Sequence, residues 1–100
     1  MLKLTAGYNN LNKEYLLCPN PYGNFDHNKT ETFSGEEDQL EGWVEGYLTR
    51  EGIMTRRIGV ISAPDPQEDG KVKDLVQIIL KLNPKAERAE PLEKPTRKEH

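Results

Sequence analysis

Apolar and polar residues follow one another along this chain in two different rhythms. Over 36–50, Leu40, Trp43, Val44, Tyr47 and Leu48 recur at steps of three and four residues, which gathers them on one stripe of a helix. Ser34-Gly35-Glu36-Glu37 has the Ser-x-x-Glu form of a capping box, and the acids after it load the first turn, where the helix dipole favours negative charge. Gly52 ends this helix, and Gly42 and Gly46 fall on the side away from the stripe. A second helical pattern follows Asp65-Pro66, a capping side chain before a proline suited to the first helical position. There Val72, Leu75, Val76, Ile78, Ile79, Leu80 and Leu82 cover a wide arc, Lys73, Asp74, Gln77 and Lys81 share the other side, and Asn83-Pro84 closes the helix.

The other apolar runs are short and rich in strand-favouring residues. Residues 53–61 are rich in β-branched side chains, end at Ser62-Ala63-Pro64 and predict the central strand of a sheet, with Arg56 and Arg57 pointing to its opposite faces. Residues 2–5 predict a short edge strand before a turn at Gly7-Tyr8-Asn9-Asn10. A strand over 13–18 stops at Pro19, a loop dense in Pro, Asn and Gly follows through 28, and 29–33 predict a third strand. The order β-β-β-α-β-α implies an α+β fold, a two-layer α/β sandwich in which a small mixed sheet of three or four strands carries two helices on one face. If the strand at 29–33, the first helix and the strand at 53–61 form one crossover, the two strands lie parallel. Beyond 84 the apolar residues dwindle among charges and prolines, so 1–83 reads as one domain and 84–100 as a polar, disordered tail.

Composition narrows the class. With 100 residues there is room for a single core, and 34% hydrophobic against 31% charged residues makes that core lean. No apolar run reaches the roughly 18 residues a membrane span requires. The N-terminus lacks the basic and apolar regions of a secretory signal, and a single cysteine, Cys18, cannot form an internal disulfide; a cytoplasmic protein held by its core is expected. The net charge of -3 is modest, but its placement is uneven. Thr30 to Thr49 contains no Lys or Arg and carries Glu31, Glu36, Glu37, Asp38, Glu41 and Glu45, after which come Arg50, Arg56 and Arg57. Such a block can present an acidic helix face, Glu37, Asp38, Glu41 and Glu45, to a basic partner.

Catalytic chemistry is thinly represented. Asp26, Asn28, Thr30, Thr32, Ser34 and Glu37 have the oxygen spacing of a calcium-binding EF-hand loop, but Glu31 stands where that loop needs glycine, and Pro19 and Pro21 oppose an entering helix. No metal and no cofactor is expected. Cys18 and His27 are the one thiol-imidazole pair in the body of the chain, and a small cysteine-dependent enzyme using them is one alternative. Another is a single-stranded nucleic-acid binder that uses Arg56 and Arg57 with Arg50, Lys29 and the tail lysines on phosphates and Tyr8, Tyr15, Tyr22 and Phe25 as stacking surfaces, which a pI near 5.4 disfavours. Ser62-Ala63-Pro64-Asp65 precedes a helix but lacks the glycines of a phosphate-binding turn. The remaining reading is a small non-enzymatic protein that binds another protein through the acidic helix face, an aromatic loop (Tyr22, Phe25, His27) or the tail.

Overall fold

The computed structural model of the chain describes residues 2–63 and 69–92. Along it run β1 (Leu2–Asn9), β2 (Glu14–Cys18), β3 (Glu31–Phe33), α1 (Glu37–Arg50), β4 (Ile58–Ser62), α2 (Asp69–Leu82) and β5 (Ala86–Arg88). The strands form one mixed sheet in the order β3-β2-β1-β4-β5, giving an α+β fold. β1 pairs antiparallel with β2 and parallel with β4, so the hairpin half and the crossover half of the sheet meet at β1. β3 runs antiparallel to β2 and therefore parallel to β4, as a crossover through α1 requires.

Side chains alternate between the two faces of a strand. On one face, Leu4, Ala6, Tyr8, Tyr15, Leu17, Ile58 and Val60 share a core with Leu40, Val44, Tyr47 and Leu48 of α1 and Val72, Leu75, Val76 and Ile79 of α2. Both helices thus lie on this face. Thr5, Cys18 and Ile61 are also buried, and alternation directs them to the opposite face. Irregular chain covers that side. The Phe25 ring reaches within 2.6 Å of where a Cβ on Gly7 would stand, so only glycine leaves room for it. Thr5 Oγ1 donates to the Asn20 carbonyl at 2.7 Å, and the Leu92 amide donates to the Pro21 carbonyl at 2.7 Å. Pro91 packs over Gly23, whose φ of 84° lies in the left-handed region open to glycine.

Four expectations change in detail. β1 is the middle strand rather than an edge, and it runs through Gly7 and Tyr8 to Asn9. A strand covered on both faces loses the apolar-polar alternation by which strands are recognised, and Gly7 is a packing residue instead of a turn residue. The turn falls at 10–13, where Asn9 Oδ1 accepts from the amides of Leu11 and Asn12, and Lys13 adopts a φ of 56°. The α1 box shifts by two residues: Glu36 is the cap, and its amide donates to Gln39 Oε1 at 3.3 Å. The C-terminus ends as Gly52 predicts, with Gly52 N bonded to Thr49 O, Ile53 N bonded to Leu48 O, and Leu48 and Ile53 both buried.

The third change is at Arg56 and Arg57. They do not belong to a strand; residues 53–57 form a turn, Arg56 N donates to Ile53 O, and both arginines are exposed. The cause is Asn83, a fully buried side chain whose Nδ2 donates to the carbonyls of Ile53 at 2.8 Å and Arg56 at 2.9 Å. Its Oδ1 accepts from the Lys85 amide at 2.8 Å, so one side chain clamps the turn before β4 to the end of α2. The fourth change follows from it. Ala86–Arg88, assigned from sequence to the polar tail, forms β5 as a parallel neighbour of β4. The rest of that tail, beyond 92, and the Asp65-Pro66 cap lie outside the described residues.

Replacing Asn83 with Ala removes three hydrogen bonds: it deprives the part-buried Arg56 carbonyl and Lys85 amide of this partner and leaves the buried Ile53 carbonyl with only the longer bond from the Arg56 amide. We expect a loss of about 3 kcal/mol in a urea unfolding titration, with an unchanged slope. A loss below about 1 kcal/mol contradicts the clamp.

Candidate functional site

The start of α1 places Glu37 and Asp38 in its first turn and Leu40 and Glu41 one turn further, on neighbouring rows of the helix surface. On α2, Asp74, Gln77, Ile78 and Lys81 recur at helical spacing and form a matching row. Where these rows meet, a groove of about 670 Å³ opens, lined by Glu37, Asp38, Leu40, Asp74, Gln77, Ile78 and Lys81. Leu40 and half-buried Ile78 provide its apolar floor, and Glu37, Asp38 and Asp74 stand exposed at its rim. The ammonium of Lys81 is paired with Glu41 at 3.1 Å, so the groove's one cation is already neutralised. Both partners are largely exposed, and such a pair contributes under about 1 kcal/mol; its effect is on the balance of charge rather than on stability.

Of the acidic helix face, therefore, Glu37 and Asp38 line the groove, Glu41 closes one end through Lys81, and Glu45 points to solvent elsewhere. Asp74, Gln77 and Ile78 complete the site and were not singled out from sequence. In a linear reading Ile78 belongs to the core arc of α2 and Asp74 to its solvated side, and nothing local reveals that the first turn of α1 stops beside them.

The other candidates are placed apart. In the aromatic loop, Phe25 turns inward onto Gly7, leaving Tyr22 and His27 exposed without it. Cys18 is fully buried as a free thiol and His27 is exposed, and among the described residues no hydrogen bond joins them. Of the residues with EF-hand spacing, Asp26 serves a turn: its Oδ1 accepts from the Asn28 amide and its carbonyl from the Thr30 hydroxyl. Arg57 sits 3.6 Å from Glu87, and Arg50 binds Glu31 at 2.7 Å, so these cations face carboxylates. Ser62 ends β4, while Pro64 and Asp65, which follow it before α2, lie outside the described residues.

Along the other flank of α1, Trp43 stacks on Phe33 of β3 with ring centres 5.3 Å apart, and Tyr47 continues the row beneath Arg50. Burial holds the Tyr47 hydroxyl well above the ordinary tyrosine range, with the charges of Glu51, Cys18 and Glu31 adding to the shift and Arg50 opposing it. Burial also raises Tyr15, against the pull of Lys71. No helix among the described residues is long and apolar enough to cross a membrane. Comparison with protein-family models, with curated proteins and with solved structures yields no match.

The raised Tyr47 fixes a pH dependence. The unfolded chain ionises its tyrosines from about pH 10, whereas the folded protein keeps this hydroxyl neutral. The contribution is therefore intact below pH 10 and is lost as pH rises towards the folded value. Comparing urea unfolding at about pH 9 and about pH 11, we expect Tyr47→Phe to lose less stability than the wild type over that interval. Equal losses contradict the assignment.

Proposed function

We propose that the protein is a non-enzymatic binding module whose groove between α1 and α2 receives a basic segment of another protein. The observation that carries this reading is the combination of an apolar floor, Leu40 and Ile78, with a rim of Glu37, Asp38 and Asp74 whose charge Lys81 does not offset. An apolar floor alone favours any greasy side chain, and a carboxylate rim alone favours any cation. Together they select a lysine- or arginine-rich segment with a leucine-sized anchor, the anchor supplying burial and the rim supplying orientation and encounter rate. Helices are rigid supports, so the two rows present their side chains without a large ordering cost. The acidic stretch from Thr30 to Thr49 and the free Cys18 accord with a partner of opposite charge in a reducing, cytoplasmic setting.

The test uses a short amphipathic Lys/Leu helix as the probe and its Glu/Leu counterpart as the control, followed by amide resonances of the labelled full chain. We expect saturable shifts confined to 37–41 and 74–81 with the Lys/Leu probe, and affinity that falls steeply with added salt. Ile78→Gln and Asp74→Lys should each weaken binding about tenfold, while Glu45→Lys should leave it within about twofold. Equal binding by Ile78→Gln, or shifts spread evenly over every acidic position including Glu45, contradicts the reading.

A further inference from the structure

The face of the sheet that carries no helix is closed by two pieces of irregular chain arriving from opposite sides. Cys18, Thr5 and Ile61 stand side by side on β2, β1 and β4, because Thr5 is paired with Cys18 on one side and with Ile61 on the other. All three are fully buried. Residues 19–25 leave β2 and cross this row. The Thr5 hydroxyl donates to the Asn20 carbonyl, the Phe25 ring fills the space over Gly7, and a Cβ on Gly23 would stand 3.7 Å from Cγ2 of Ile61. Residues 89–92 leave β5 and come the other way, with the Ala89 amide donating to the Val60 carbonyl at 3.0 Å and Lys3 Nζ to the Glu90 carbonyl at 3.2 Å. The pieces meet where the Leu92 amide donates to the Pro21 carbonyl at 2.7 Å and where Pro91 Cβ lies 3.2 Å from the place a Cβ on Gly23 would take.

The two faces of the sheet are held very differently. On the helix side one continuous core runs from Leu4 and Leu17 through Tyr47 to Ile79, and separating the layers means dismantling it. Cys18, Thr5 and Ile61 lie outside that core, beneath chain that forms neither helix nor strand. Phe25 is half-buried, and Pro91 and Leu92 are exposed. Segments with little apolar burial and solvent-exposed backbone bonds open at a lower free energy than the whole fold. Lifting this cover breaks none of the pairing of β1 with β2 or β4. The loop is continuous with β2 and β3 and is tied to Thr5, whereas the hold of 89–92 upon it rests on the Leu92–Pro21 bond and the Pro91–Gly23 contact.

We propose that residues 89–92 are a releasable strap: when it lifts, the 19–25 loop leaves the sheet and bares the row of Cys18, Thr5 and Ile61, while the sheet and both helices stay folded. The open state shows a second surface, on the side of the sheet away from the groove, and needs no partner docked there.

Cys18, the chain's one thiol, reports the opening, because a buried thiol is alkylated only when it is uncovered. The experiment follows alkylation of Cys18 by iodoacetamide in the folded full chain, with amide hydrogen exchange measured under the same conditions. The open fraction read from Cys18 should exceed the globally unfolded fraction, read from the Leu4 and Val60 amides, by at least about tenfold. Leu92→Pro removes the N–H that Pro21 accepts, and Pro91→Gly removes the ring over Gly23; both positions are exposed. Each should speed alkylation about fivefold, with the amides of Val44, Leu48, Val76 and Ile79 as protected as in the wild type. Alkylation no faster than global unfolding allows overturns the proposal. So do wild-type rates in both variants, or an acceleration matched by equal loss of protection at Val44 and Ile79.

Discussion

Burial of β1 on both faces is the constraint from which the rest of the architecture follows. Leu4, Ala6 and Tyr8 close against the helices, while Thr5 and Gly7 close against the 19–25 loop. A strand covered in this way has no solvent-facing row, so it must sit inside the sheet and have its backbone groups taken up by neighbours on both sides. The antiparallel hairpin to β2 supplies one neighbour and the parallel return of β4 the other. Small residues are the condition for this. Gly7 admits the Phe25 ring at a distance no side chain would tolerate, and Ala6 lets the helix layer approach.

The groove is a by-product of how the helices are tied to that sheet. α1 is held at its C-terminus by the Gly52 motif and by buried Leu48, and at the sheet edge by the Phe33–Trp43 stack. α2 is fixed by its arc of Val72, Leu75, Val76 and Ile79 and by Asn83 at its end. With both helices anchored through these residues, the first turn of α1 and the solvent-side row of α2 are left facing each other across open space. Their acids are tolerated because they remain hydrated, and the carboxylate density that results is what a basic segment would meet.

Much of the fold was legible in the residues. The helical stripes of Leu40 to Leu48 and Val72 to Leu82 are strong periodic signals, and the Gly52 stop and the strand around Ile58 and Val60 have clear local causes. What local pattern does not carry is long-range. The centrality of β1 depends on cover supplied by Phe25 and Asn20, and the turn at 53–57 depends on Asn83, nearly thirty residues away in sequence. β5 is short and polar, and forms because β4 offers a free edge beside the end of α2. The site divides in the same way. Glu37 and Asp38 announce themselves by charge, whereas Asp74 and Ile78 acquire meaning through their position opposite them.

The most direct test of the central claim is native-state amide hydrogen exchange along β1. Leu4, Thr5 and Ala6, together with Val60 and Ile61 of β4, should exchange only through global unfolding, with opening free energies equal to the stability measured by denaturant. Exchange of the β1 amides as fast as those of the 19–25 loop, while α1 and α2 stay protected, would show that β1 is not the strand on which both layers rest.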